Sequence, residues 1–214
     1  MSTVQATNLK HEASVTNNIV LDASGNTTVS GNATVSGNAT VSGNAVITGT
    51  LQANGVTGSV YPLVQGTSQA STSGTSIDFT GIPSWVKRIT VMFNGVSTNG
   101  TSVKLVQIGA GSVTTSGYLS SSTTTGTTSS TTTTAAGYAF GTNISTDAIG
   151  GIMTIASFGS NVWVSSHAAY ANSTPQGVFG GGTVTLSGTL DRVRITTVGG
   201  TDTFDAGSIN ILYE

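Results

Sequence analysis

The sequence predicts an all-β chain: a short trimeric shaft of six-residue repeats, followed by an antiparallel β-sandwich head of jelly-roll-like type. Two observations lead there. First, one hexapeptide is written three times: Thr28-Val29-Ser30-Gly31-Asn32-Ala33, then Thr34 to Ala39, then Thr40 to Ala45. A looser fourth copy follows, Val46-Ile47-Thr48-Gly49-Thr50-Leu51. Second, from Ile77 onward short runs alternate apolar and polar residues between Gly, Ser and Asn turns, and no stretch carries the three-and-four spacing of a helix.

The repeat has one large apolar residue per hexad (Val29, Val35, Val41, Ile47) and one Gly-Asn pair per hexad. Such a unit is a short strand plus a corner, because Gly and Asn tolerate positive φ. A single-chain β-helix needs at least three stacked coils to bury a core. At roughly three hexads per coil, this array makes about one. Three chains wound about one axis remove the difficulty, since every layer then receives an apolar residue from each chain. Residues 23–58 are therefore expected to form a shaft in a homotrimer, with Val29, Val35, Val41 and Ile47 on its axis. A flexible low-complexity linker is the alternative, although linkers rarely keep an apolar residue at every sixth position.

Ahead of the array, residues 1–22 hold Lys10 and Glu12 around His11 and end on the apolar run Ile19-Val20-Leu21. They form either a docking segment for a larger assembly or a frayed terminus. Residues 59–76 mix Gly, Ser, Thr and Gln around Tyr61-Pro62-Leu63-Val64 and read as a neck. The head, 77–214, carries eight expected strands. These are Ile77 to Phe79, Arg88 to Phe93, Val103 to Ile108, Ile152 to Phe158, Val162 to His167, Thr183 to Leu186, Leu190 to Val198 and Ile209 to Tyr213. In the seventh, Val193 and Ile195 face inward and Arg192 and Arg194 outward. Ser120 to Thr134 is almost entirely Ser and Thr; with no apolar residue to bury, it is expected to be a long surface loop or poorly ordered.

Only 7% of residues are charged, against about 25% in ordinary domains, so the polar surface is built from hydroxyls and amides. Such a surface suits the outside of a cell or particle. Six Lys and Arg without a cluster give no footprint for nucleic acid. No apolar run approaches the ~18 residues of a membrane span, and the first residues lack a secretory pattern. Cysteine is absent, which excludes disulfides and thiolate metal sites.

No catalytic constellation is expected, and no cofactor or metal. His11 and His167 lie in different segments without ligand partners, and His167 reads as a structural histidine. Asp202 and Asp205 bracket Phe204, either as a solvated turn or as oxygens for a calcium ion. Gly180-Gly181-Gly182 has no following Lys, so it is no phosphate cradle. Trp85 is expected to pack as a core or base residue. An aromatic face among hydroxyl and amide groups is what grips a sugar, which makes Tyr118, Tyr138, Trp163 and Tyr170 the candidate binding residues. Tyr118 and Tyr138 are expected at the surface, flanking the Ser/Thr stretch; for Trp163 the core reading leads.

The stretch Ala6-Thr7-Asn8-Leu9-Lys10-His11-Glu12-Ala13-Ser14, with Asn18-Ile19-Val20-Leu21-Asp22-Ala23-Ser24-Gly25-Asn26 after it, resembles the opening of tail-fibre-like virion proteins of marine tailed bacteriophages. Asp78-Phe79-Thr80-Gly81-Ile82-Pro83-Ser84-Trp85-Val86-Lys87-Arg88-Ile89-Thr90 and Asp205-Ala206-Gly207-Ser208-Ile209-Asn210-Ile211-Leu212-Tyr213-Glu214 resemble the C-terminal domain of such fibres. The resemblance implies a homotrimer, an N-terminal anchor to other virion proteins through residues 1–22, and a distal knob that meets the host surface through a glycan. It also implies a virion location, with assembly in the host cytoplasm and release by lysis. The short shaft points to a short fibre, and a capsid decoration protein that meets no receptor is the alternative. A hexapeptide-repeat acyltransferase shares the spacing, but it needs many coils and a catalytic His near the array. A depolymerising tailspike needs paired carboxylates on a long β-helix.

Overall fold

The structure, a computed structural model, describes residues 8–9, 13, 19–21, 23–24, 26–37, 39–46, 48, 51–53, 56–58, 61–126, 129–173 and 175–214. The chain divides into two compact units, Met1–Ser59 and Val60–Glu214. Ile47, Lys10, His11 and Glu12 fall outside the described residues, as does most of the expected docking segment.

In the first unit, β1 (Asn8–Leu9), β2 (Ile19–Leu21) and β3 (Thr27–Val29) form an antiparallel sheet, and β4 (Leu51–Ala53) pairs with β5 (Val56–Gly58). Among the described residues of 28–48, strand β3 alone is regular; the others form bends or have no regular structure. Val29, Val35 and Val41 are 42%, 58% and 61% exposed. A Cβ added at Gly31, Gly37 or Gly43 would meet nothing within 4 Å. Within one chain, then, the described residues of the row, Val29, Val35 and Val41, stay exposed.

The second unit is two antiparallel sheets over one core, the sandwich expected of it. Its strands are β6 (Val64–Gln65), β7 (Gln69–Ala70), β8 (Ile77–Thr80), β9 (Arg88–Thr98), β10 (Lys104–Ala110), β11 (Ser112–Val113), β12 (Leu119–Thr125), β13 (Ser130–Thr134), β14 (Tyr138–Phe140), β15 (Ile149–Gly159), β16 (Val162–Ala171), β17 (Gln176–Thr185), β18 (Arg192–Thr197) and β19 (Phe204–Tyr213). The larger sheet runs β13-β12-β17-β16-β15-β9-β19-β6, with β7 also on β19. The smaller runs β11-β10-β18-β8, with β14 beside β11 on the same edge of β10.

Alternation decides what faces in. Ile89, Val91 and Phe93 of β9, Ile149, Met153 and Ile155 of β15, and Ile209 and Ile211 of β19 supply the core from the larger sheet. Phe79, Val106, Ile108, Val193 and Ile195 supply it from the smaller. All eight expected strands are present, mostly longer than read. Part of the segment read as neck belongs to the head, because β6 and β7 pair with β19.

The Ser120 to Thr134 stretch is not a loop. It is most of the hairpin β12–β13, in register from Ser120↔Thr134 to Thr124↔Ser130, and β12 is also paired to β17 along its length. Thr is a good strand former, and backbone hydrogen bonds need no apolar side chain. Burial of this hairpin comes from its inner face, where Ser122 and Thr124 lie under the sandwich.

Two backbone details set the curvature. Ser160 and Asn161 both have positive φ and make the two-residue turn from β15 to β16, the geometry that matches strand twist. Gly207, at φ 92° where β19 shifts register against β9, lies so close to that strand that a Cβ would stand 2.4 Å from the Gly95 carbonyl oxygen. Only glycine fits there.

Phe93→Ala should destabilise the head by about 3–5 kcal/mol, since it empties a buried site. Leu63→Ala, at a position 61% exposed, should change it by less than about 0.5 kcal/mol. Denaturant unfolding followed by tryptophan fluorescence reads both.

Candidate binding surfaces

The four aromatic candidates separate by burial. Tyr118 and Tyr138 are 1% and 0% exposed, so neither can offer a ring to a sugar. They meet edge to face, with centroids 5.0 Å apart. Each hydroxyl has a structural task. β10 is flanked by β14 at residues 104–106 and by β11 at 109–110, and Ile108 lies between these pairings. The Tyr118 hydroxyl fills that place: it accepts from Ile108 N at 2.8 Å and donates to Ile108 O at 3.2 Å. Burial pushes its pKa up to about 12. Tyr138 donates to Trp163 O at 2.9 Å, bridging the smaller sheet to the larger, and burial raises its pKa further. The surface expectation failed because the stretch between the two tyrosines is a paired hairpin that draws both ends inward.

Trp163 is 5% exposed and belongs to the core. Tyr170 alone of the four has an exposed ring, at 58%. It stands on the outer face of β16 and lies over Gly150, where a Cβ would come within 2.6 Å of the ring.

His167 is buried and structural. Its ring meets Phe140 at a 70° angle, with centroids 5.3 Å apart, and Nε2 lies 3.2 Å from Ser122 Oγ. Burial drives its pKa down to about 4. The far end of the sandwich holds a second buried polar group. Lys104 is 2% exposed and its Nζ has no hydrogen-bond partner; burial lowers its pKa against the opposing pull of Asp147, Asp205 and Asp202. Asp147 accepts from Thr142 Oγ1 at 2.6 Å and from Ser173. Asp202 accepts from Ser102 N at 2.8 Å, and Asp205 from Ser97. These last two carboxylates are thus held by neighbouring donors.

Two surfaces that no sequence motif marked stand out. The first is a cleft of about 440 Å³ at the open edge of the sandwich, lined among others by Thr67, Gln69, Asp78, Thr80 and Tyr213. Gln69 Nε2 donates to Asp78 O at 2.7 Å, and Arg194 makes a two-pronged ion pair with the Asp78 carboxylate at 2.7 and 2.9 Å. Beside the cleft, Trp85 lies parallel to Tyr61 at 4.8 Å and tilted to Tyr213 at 6.0 Å. The cleft brings together residues 67–69, 78–80 and 213, a long-range meeting with no local signal.

The second is the outer face of β12, β17, β16 and β15. Leu119, Phe179, Val164, Tyr170, Ile152 and Phe158 are exposed on it. Alternation would have located these residues, had β12 and the full length of β17 been read as strands.

A histidine held neutral in the fold but protonated when unfolded favours unfolding as pH falls below its ordinary pKa of ~6.5. Its stabilising effect is therefore complete above pH ~6.5 and drains away towards pH 4. Between pH 6.5 and 5 the head should lose about 2 kcal/mol from this group. Chemical denaturation across that range should show the loss in the native chain and a flatter profile in His167→Gln. No protein-family model, curated protein or solved structure matches the chain.

Proposed function

We propose that the protein is a homotrimeric fibre of a tailed-phage virion, with residues 1–22 docked to other virion proteins and a jelly-roll-like head directed at a host-surface glycan. The uncovered apolar row of the repeat array carries this reading. Val29, Val35 and Val41 recur at one position of a strict six-residue repeat and stay 42% to 61% exposed in the single chain. Repeating apolar residues of that kind are stabilised by burial, at about 25 cal/mol per Å², and two further copies supply the cover. Three heads on one shaft then bind a multivalent surface more tightly than any one does, without new contacts.

For the glycan, the cleft beside Tyr213 has suitable chemistry: hydroxyls of Thr67 and Thr80, the Gln69 amide and the Asp78 carboxylate near aromatic rings. Among the four aromatic candidates, Tyr170 keeps an exposed ring.

Val35→Asp should disperse the trimer, because it would set three carboxylates about one dry axis, where unpaired charge costs several kcal/mol. Light scattering of the full chain reads this, and a variant that stays trimeric on dilution removes the shaft from the reading. Cryo-electron microscopy of the particle tests the function. Three-fold density projecting from the tail supports attachment; density on the capsid shell replaces it with decoration; density nowhere on the particle defeats both.

A further inference from the structure

The two outer faces of the sandwich differ in a way the core does not require. On the smaller sheet, Arg194 pairs across strands with Asp78 and Arg192 with its chain neighbour Asp191, so charges are present and neutralised. On the larger sheet, the outward residues of β15 are Ile152, Thr154, Ala156 and Phe158; those of β16 are Val162, Val164, Ser166, Ala168 and Tyr170. Gly177, Phe179, Gly181 and Thr183 of β17 and Leu119, Ser121 and Thr123 of β12 continue the same face. Cross-strand register makes rows of them. Ile152, Ala168, Phe179 and Thr123 lie side by side, and so do Ala156, Val164, Thr183 and Leu119. Apart from the Tyr170 phenol, no ionisable group stands on this face; the ion pair of Arg88 and Glu214 lies beyond its border.

We propose that this face is a contact between heads, its occupant a second copy of this chain. Four strands about 4.8 Å apart and nine residues rising about 3.4 Å each cover on the order of 600 Å². That total, polar positions included, approaches the ~800 Å² per partner of a stable interface, and its exposed Leu119, Ile152, Phe158, Val164, Tyr170 and Phe179 supply the apolar part. Its lack of charge selects the occupant. A foreign partner can be met with opposite charge, whereas the residues on a symmetry axis itself meet their own copies, and a charge there would face its own kind. Depth points the same way. Gly177, Gly181, Ser166 and Ala168 keep the centre flat, and the Phe179 ring lies down over Gly177, where a Cβ would stand 2.4 Å from it. A flat face lets two extended surfaces approach closely, whereas a sugar is gripped in a recess. The contact takes Tyr170 into the interface and leaves sugar binding to the cleft beside Tyr213. It rests on the fibre reading only for the number of copies.

The native chain has no cysteine, so a single introduced thiol reports on one place. Full-length Ala168→Cys and Thr101→Cys are alkylated with a maleimide across a dilution series while light scattering follows the mass. Expected is protection of Ala168→Cys by at least about tenfold in the assembled state, lost on dilution as the mass falls. The exposed Thr101→Cys should react quickly throughout. Phe179→Glu, with a native circular-dichroism spectrum, should raise the midpoint concentration of assembly by about a hundredfold. If Ala168→Cys reacts as fast as Thr101→Cys in an assembled trimer, the face is free and the proposal is overturned, while the fibre reading stands. If the native chain is a monomer at every concentration, both fall together.

Discussion

Three residues hold the two sheets at one spacing. β14 is only Tyr138–Phe140, all buried, and pairs with β10 of the smaller sheet while its side chains reach the larger. Tyr138 donates across the core to the Trp163 carbonyl, and Phe140 stacks on Phe93 at 4.0 Å. His167 meets the edge of Phe140, and Ser122 meets His167. The hydroxyl-rich hairpin β12–β13 is thus tied into the core through a polar contact made under an aromatic ring. Remove the bridging β14, and the larger sheet loses both its distance from the smaller and the wall that buries His167.

The strands were legible where a strand buries one face. Ile89, Val91 and Phe93, or Val193 and Ile195, alternate with polar residues, and each of those runs became a strand with that face inward. Legibility ended where pairing is carried by the backbone alone. Ser120 to Thr134 offered no apolar signal, yet Thr tolerates the pleat and the ladder itself satisfies the amides. Tyr118 and Tyr138 flank that stretch, and its pairing as a hairpin carries both rings inward. The gap at Ile108 which the Tyr118 hydroxyl fills is set by where β11 and β14 end on β10, a tertiary fact with no local trace. The cleft at Asp78 and Tyr213 was invisible for the same reason.

The repeat array and the larger sheet's outer face present one physical situation at two scales. In each, apolar side chains recur at the period of the local structure, six along the array and two along the strands, and are left uncovered within one chain. Neither the repeats nor the outward residues of β12, β17, β16 and β15 carry a charged side chain. Arg194 and Asp78, by contrast, stand on the smaller sheet, where each neutralises the other.

A surface of hydroxyls in place of ammonium and guanidinium groups also leaves little for proteases that cut after basic residues. Of the five such positions in the head, Lys104 is buried within β10, and Arg192 and Arg194 lie on a strand paired on both sides. A peptide bond must leave its ladder to enter a protease cleft, and these would have to take the core with them. Cleavage of the folded head by a trypsin-like enzyme is thereby confined to Lys87 and Arg88, whose own amides are bonded to the Glu214 carbonyl. Scarcity of charge thus leaves the folded head few bonds that an enzyme cutting after basic residues can reach.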